Sequence, residues 1–378
     1  MESSTKKMAA AVVVAVVVIA AVAVAISQNG SDDSGGKGVT FTWSEDSTLF
    51  YIDVDADYNF DKYLETGVSD INDFYAYLEE NVTNGTKITG VSGNTGCSTF
   101  SATTTDGDEI MARNFDFRVC EAGVVYTDPD DGYASLSIID MTMFSYTEGD
   151  TPETLTGNDA YLAAAYIPMD GVNEKGVSVS INSVNNGHTI SMDNGKTKLF
   201  ITSALRLILD YAATTEEALD LLDDYDYWGG HYHILISDAT GNSVDVEFDG
   251  NTMYTTTTDL MTNHYLATEL QNLSDVTVTE SSKNRYNTIQ TTLTETSGVM
   301  TVDEALGLLE TVKQDDGPSH QTKWSVVYNK TDLTMTVCIL MDYDTRYTIS
   351  LGSSEIIQEV VNSDTTTTTT SLLAACAA

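Results

Sequence analysis

Short runs of alternating apolar and polar residues, arriving in pairs with brief polar turns between them, dominate the chain from residue 97 onward. Residues 97–103 and 109–115 are two such runs, joined by Thr105-Asp106-Gly107-Asp108, a good hairpin turn. Residues 133–140 and 176–183 also alternate at period two. Residues 231–237 and 243–248 face each other across Asp238-Ala239-Thr240-Gly241, and residues 324–329 and 334–340 across Lys330-Thr331-Asp332. Helical periodicity enters at 199–212 and at 216–222, where Thr214 with Glu217 three residues on reads as a capping box. It enters again at 302–311, capped by Thr301 with Glu304. Hairpins broken by helical segments specify an α+β fold and argue against a parallel doubly wound sheet.

The ends of the chain have a different character. Residues 8–26 are an unbroken run of 19 apolar residues, mostly Ala and Val, behind Lys6 and Lys7. At ~1.5 Å per residue the run spans ~28 Å, close to a bilayer core. Residues 1–27 therefore read as a signal or anchor that engages a membrane, with the lysines inside and the acidic bulk outside. The expected location is extracytoplasmic, membrane-anchored or secreted. Residues 28–40, rich in Gly, Ser and Asp, read as a flexible linker. Residues 41–96 have their own patterning, with strand-like FTWS and LFYIDVDADY and a short helix over 71–78. The tail from 364 to 378, with six consecutive threonines, is low in complexity and reads as dispensable.

Charge narrows the functional classes. The 378 residues hold 17 basic and 57 acidic side chains, a formal net charge of −40. So acidic a surface repels phosphate backbones and excludes nucleic acid as a partner. The four cysteines, Cys97, Cys120, Cys338 and Cys376, are too few for a disulfide scaffold and lack structural-zinc spacing. The five histidines form no HExxH grouping, and no GxSxG elbow, P-loop or post-strand GxGxxG is present, so no metal or organic cofactor is expected. His231 and His233 share a strand face, where satisfied strand histidines are favoured over a metal pair.

Cys97 lies in GCSTFSATTTDGDEIMARNFDFR. A cysteine on a strand is by default a small buried hydrophobe. Here the returning strand of the same hairpin brings back Arg113 and Asp116, a cation and a carboxylate. Such a pair beside a thiol is costly unless used or fully paired, and Arg113 is suited to lower the thiol pKa. Asn182 closes the strand after Asp170-Gly171-Val172-Asn173-Glu174-Lys175-Gly176, and Asn263 ends another strand-like run in Met261-Thr262-Asn263-His264-Tyr265. Each has either a local turn role or an amide aimed at a developing oxyanion. Arg285, in SSKNRY, has a surface ion pair as its default role.

Taken together, these motifs resemble the choloylglycine hydrolase family, the linear-amide hydrolases that include bile salt hydrolases and penicillin V acylases. The resemblance rests on the stretch around Cys97, DGVNEKG, ILISDATGNSVDVEF, MTNHY, SSKNRY and TKWSVVYN, in that order. It implies the four-layer αββα sandwich of the N-terminal nucleophile hydrolases over residues 97–363, with 41–96 as a pro-segment. It implies that Cys97 is a nucleophile freed by cleavage after Gly96, held by Arg113 and Asp116, with Asn182 and Asn263 at the oxyanion and Arg285 completing the network. The implied activity is hydrolysis of a small-molecule amide, a conjugated bile salt or other N-acyl amide, through a thioester. A homo-oligomer is left open. Two other readings stand beside it: a surface-anchored binding or structural protein with an inactive hydrolase fold, and a Cys–His protease pairing Cys97 with His231 or His264.

Overall fold

The computed structural model describes residues 38–46, 48–88, 96–118, 121–144, 150, 152–317, 320–362 and 365–371. In chain order the first elements are strands β1 (Gly38–Trp43) and β2 (Phe50–Asp55), then helices α1 (Phe60–Thr66) and α2 (Ile71–Asn81). Strands β3 (Gly96–Thr103), β4 (Glu109–Phe117), β5 (Ala122–Thr127) and β6 (Ser135–Asp140) follow, then a short helix α3 (Pro152–Leu155), β7 (Asp170–Asn173) and β8 (Ser178–Ser183). Next come β9 (Lys198–Phe200), α4 (Ser203–Tyr211), α5 (Thr215–Asp223), β10 (Asp226–Trp228), β11 (Tyr232–Ser237), β12 (Ser243–Asp249), β13 (Thr252–Thr257) and β14 (Leu260–Met261). The chain ends with α6 (Thr268–Gln271), α7 (Glu280–Thr296), α8 (Val302–Thr311), β15 (Gln321–Asn329), β16 (Thr334–Ile339), β17 (Thr345–Ser350), β18 (Ile356–Asn362) and β19 (Thr365–Ser371).

Two sheets hold the molecule together. One runs β1-β2-β5-β6-β7-β8-β11-β12-β13 and the other β14-β3-β4-β15-β16-β17-β18-β19. Their strands alternate between two apolar faces, and this makes three large cores, beside a small fourth cluster of Val184, Tyr265, Ala267 and Leu270. On the first sheet's outer side, Ile52, Ile139, Ile181 and Ile234 pack with Phe74 and Leu78 of α2 and Leu205 and Ile208 of α4. Between the sheets, Tyr51, Val124, Leu136 and Ile138 meet Met111, Phe115, Trp324 and Val326. On the second sheet's outer side, Phe100, Ala112 and Val327 pack with Ile289 of α7 and Leu306 and Leu309 of α8. Three cores between four layers make an αββα sandwich, the expected α+β architecture. Residues 38–88 are part of it: β2 pairs in parallel with β5, and they share one compact unit with everything that follows.

Several local expectations change. The helix read over 199–212 begins only at Ser203, because Leu199 is taken into a parallel pairing with Tyr227. Thr214 accepts from the Glu217 N–H, but the Glu217 carboxylate turns to Ala213, so the reciprocal box is complete only at Thr301 and Glu304. Six threonines of the tail form β19, which pairs along β18. The expected membrane-anchored, extracytoplasmic location is corrected: among the described residues no helix is long and apolar enough to cross a membrane. The run at 8–26 that suggested it lies outside the described residues, as does Cys120. Cys338 is a free, buried thiol.

Candidate active site

The hairpin of β3 and β4 aligns Gly96 with Asp116, Cys97 with Phe115 and Thr99 with Arg113. Cys97 is fully buried. Its Sγ accepts from Arg113 Nη2 at 3.6 Å, and its backbone nitrogen donates to Asn263 Oδ1 at 2.9 Å. Arg113 reaches across the gap between the sheets, donating to the carbonyls of Met169 and Ile181 and pairing with the Asp170 carboxylate. Asp170 also accepts from Trp324 Nε1 at 3.1 Å and from the Tyr328 hydroxyl. Burial alone would lower the Arg113 pKa; Asp170 and Cys97 outweigh it and leave the guanidinium firmly charged.

Arg113 acts on the thiol in the expected direction, but burial acts more strongly. Burial pushes the Cys97 pKa up, and the neighbouring Arg113 charge offsets this only in part. Within the continuous chain burial thus opposes the thiolate, and Arg113 is the neighbour that favours it.

Asp116 is fully buried and accepts from Gln314 Nε2 and Thr322 Oγ1, both at 2.6 Å. A bulge in β15 sets Thr322 against Asp116 but Trp324 against Phe115, so Lys323 is the extra residue that turns the Thr322 hydroxyl toward the carboxylate. Trp324 stacks on Phe115 with centroids 3.9 Å apart, locking that register. Burial raises the Asp116 pKa, opposed by Arg285 and the two hydrogen bonds.

Arg285 is buried, contrary to its default surface role. Its Nη2 donates to Asn263 Oδ1 at 2.6 Å, and its Nη1 donates to the Cys97 carbonyl and, at 2.7 Å, to Ser98 Oγ. Asn263 Nδ2 donates to the Ser183 carbonyl at 2.7 Å. Asn182 joins one step further out: its Nδ2 donates to the Thr262 carbonyl at 3.1 Å, and its Oδ1 accepts from Thr99 Oγ1 at 3.3 Å. The structure thus gathers Cys97, Arg113, Asp116, Asn263 and Arg285 around one atom group, with Asn182 behind Asn263. Two arginines and two aspartates (Asp116 and Asp170) balance the buried charge.

The sequence reading missed Asp170, Gln314, Thr322 and Ser282. Ser282 Oγ receives the Asn263 N–H at 2.8 Å. Asp170 opens the DGVNEKG motif and Thr322 opens TKWSVVYN, so both lay inside stretches already singled out. A histidine partner for the thiol is not seen among the described residues: His264 Nδ1 meets Ser282 Oγ at 2.8 Å, and burial drives its pKa down to about 4. A cavity of about 290 Å³ lies over Arg285 and Gln314, lined also by Ser281, Asn284 and Lys313.

Residues 155–355, more than half of the chain, match the family described as Acyl-coenzyme A:6-aminopenicillanic acid acyl-transferase. The chain belongs to this family. It is accordingly an enzyme of the amidohydrolase group that the sequence resemblance named. Two solved variants of the conjugated bile acid hydrolase from Clostridium perfringens have the same fold. One matches at TM-score 0.52 and 15% identity, covering 73% of this chain and 97% of that one. The other matches at 0.51 and 15%, covering 70% and 97%. The penicillin V acylase from Agrobacterium tumefaciens is more distant, at TM-score 0.45 and 16% identity over 69% and 90%. Among curated proteins the sequence finds no match.

Proposed function

We propose that this member of the acyl-transferase family hydrolyses a linear amide with Cys97 as its nucleophile, after cleavage of the Gly96–Cys97 bond. The observation that carries the reading is the placement of the Cys97 backbone nitrogen against Asn263 Oδ1 while its Sγ faces Arg113. In maturation the thiol adds to the Gly96 carbonyl, the C–N bond breaks as nitrogen takes the proton, and water hydrolyses the thioester. Cys97 then carries both a thiol and an α-amine, whose ordinary pKa of ~7.7–8 suits a base near neutral pH.

In turnover the amine takes the thiol proton and the thiolate attacks the substrate carbonyl. An amide N–H of Asn263 stabilises the oxyanion, such a donor being worth ~2.7–4 kcal/mol, and Asn182 supports that segment through the Thr262 carbonyl. The ammonium protonates the leaving nitrogen, and water, deprotonated by the amine, releases the acid and the thiol. Asp116 favours the ammonium, and Arg285 holds Asn263. The substrate classes that fit are conjugated bile salts, penicillin V and other N-acyl amides. The family description supports a second outcome, in which an amine such as 6-aminopenicillanic acid takes the acyl group in place of water.

Residues 41–96 serve in this reading as a pro-segment that stays bound after cleavage. The support is the β2–β5 pairing and the packing of α1 and α2. One experiment tests the whole reading: denaturing and native mass of the purified protein, followed by a panel of conjugated bile acids and acylated amines. Two fragments that separate only on denaturation, Cys97 as a chain start, and amide turnover abolished by Cys97→Ala support it. An uncut chain that still hydrolyses amides sinks it, and an uncut, inactive chain favours the binding-protein alternative.

A further inference from the structure

His233, Asp245 and Glu247 lie outside the catalytic cluster, on one face of the β11–β12 hairpin and fully buried. Their nitrogen and oxygen atoms all lie within 4.8 Å of one another. His233 Nε2 is 2.9 Å from the Thr262 carbonyl, which can only accept, so Nε2 carries a proton. The other ring nitrogen, Nδ1, therefore turns either a lone pair or a second proton toward the two carboxylates. It lies 3.0 Å from Asp245 Oδ1 and 3.6 Å from Glu247 Oε1.

Nδ1 and Asp245 Oδ1 stand in ion-pair contact without an aligned hydrogen bond, and Asp245 Oδ2 meets no hydrogen-bond donor. The approach of Oδ1 is off the N–H direction. Glu247 is different, since its oxygens accept from the Leu266 and Ala267 N–H groups at 2.6 and 2.7 Å. Even a charged His233 balances only one of the two carboxylates, and no Lys or Arg among the described residues pairs with Asp245 within 4 Å.

We propose that these three side chains bind a divalent cation of the zinc class. Tetrahedral ligand atoms about 2.0–2.2 Å from one ion lie roughly 3.3–3.6 Å from each other, close to the 3.0 and 3.6 Å found around Nδ1. The outer contacts suit it as well. A ligating histidine that donates its other N–H to a backbone carbonyl, and a ligating carboxylate fixed by backbone N–H groups, are the usual supports of a metal site. Those supports come from Thr262, Leu266 and Ala267, which flank Asn263. The cation would brace the segment that presents Asn263 to Cys97.

The test is metal content and refolding of the full-length protein, with Cys97→Ala included to remove the reactive thiol. The protein is unfolded and refolded with EDTA or with one equivalent of Zn²⁺, and in parallel with Co²⁺. The site predicts one zinc per chain, retained in Cys97→Ala, and a higher unfolding midpoint with zinc. It also predicts a Co²⁺ d–d absorption without a thiolate charge-transfer band. Asp245→Asn should weaken Zn²⁺ at least tenfold. Zinc-free protein with equal midpoints in EDTA and Zn²⁺ overturns the proposal, as does equal zinc binding by Asp245→Asn. Should that variant not refold, a Co²⁺ spectrum of the parent chain that lacks the d–d absorption overturns it alone.

Discussion

The backbone nitrogen of Cys97 and Nη2 of Arg285 converge on the same oxygen, Oδ1 of Asn263, at 2.9 and 2.6 Å. Asn263 is itself pinned by Ser282 and Ser183. An amide so fixed changes little in position when the peptide nitrogen becomes an amine, which is the preorganisation an oxyanion site needs. Asn263→Ala is expected to lower kcat of the cleaved enzyme about 10²–10³-fold. Steady-state rates on material verified as cut before Cys97 measure this, and an unchanged kcat removes Asn263 from the mechanism.

Arg113 and Asp170 form a fully buried pair that spans the two sheets. Removing one member strands the other charge in a dry interior, a loss of about 3–5 kcal/mol. Asp170→Ala is expected to destabilise by that order, read from urea unfolding in a Cys97→Ala background where cleavage does not interfere. The same substitution should slow alkylation of Cys97 in the parent chain, because a released Arg113 no longer faces the thiol. Stability within 1 kcal/mol of the parent would show that the pair is not what joins the layers here.

What the sequence revealed, and what it hid, divides along physical lines. The Cys97 hairpin was legible because a period-two pattern and an Asp-Gly turn are both local signals. Helix α7 was not, since only Ser282, Arg285 and Ile289 of its 17 residues are buried, leaving almost no apolar stripe to detect. Leu199 carries a helical local pattern, and tertiary pairing with Tyr227 overrides it. Arg113 and Asp116 were found through their spacing from Cys97. Gln314, in the segment that follows α8, was not, because only folding brings it to Asp116. The sign of the thiol shift was also hidden: charge is visible in a sequence, whereas complete burial is a property of the packed sheets.

Gly96 is confined by its neighbours. A Cβ there would stand 2.3 Å from Gln314 Nε2 and 3.0 Å from His320 Nε2, and that same Gln314 nitrogen donates to Asp116. Gly96→Val is expected to push Gln314 aside and slow cleavage before Cys97 about 10–100-fold, from roughly 1–3 kcal/mol of overpacking. Adding Gln314→Ala should restore part of the rate by making room. Time-resolved intact mass during expression or refolding reads both. Unhindered cleavage of Gly96→Val would mean that the contact with Gln314 does not shape the scissile bond.

Lys330 supplies a test of buried charge away from the candidate site. It is 1% exposed, its Nζ donates to Ser237 Oγ at 3.1 Å, and burial draws its pKa down to about 8 against the pull of Glu109, Asp238 and Asp259. Between pH 8 and about 10.4 the unfolded chain holds this proton and the folded chain has released it, so stability rises with pH across that window. Below pH 8 both states are protonated and the full penalty of the buried ammonium remains. Lys330→Met should therefore be more stable than the parent at pH 7, by about 1–3 kcal/mol after the lost Ser237 bond is counted. The advantage should shrink as pH rises from 8 toward 10.4. Urea midpoints of both proteins at pH 7, 8, 9 and 10 measure the difference, and a difference independent of pH would show that Lys330 does not titrate in this range.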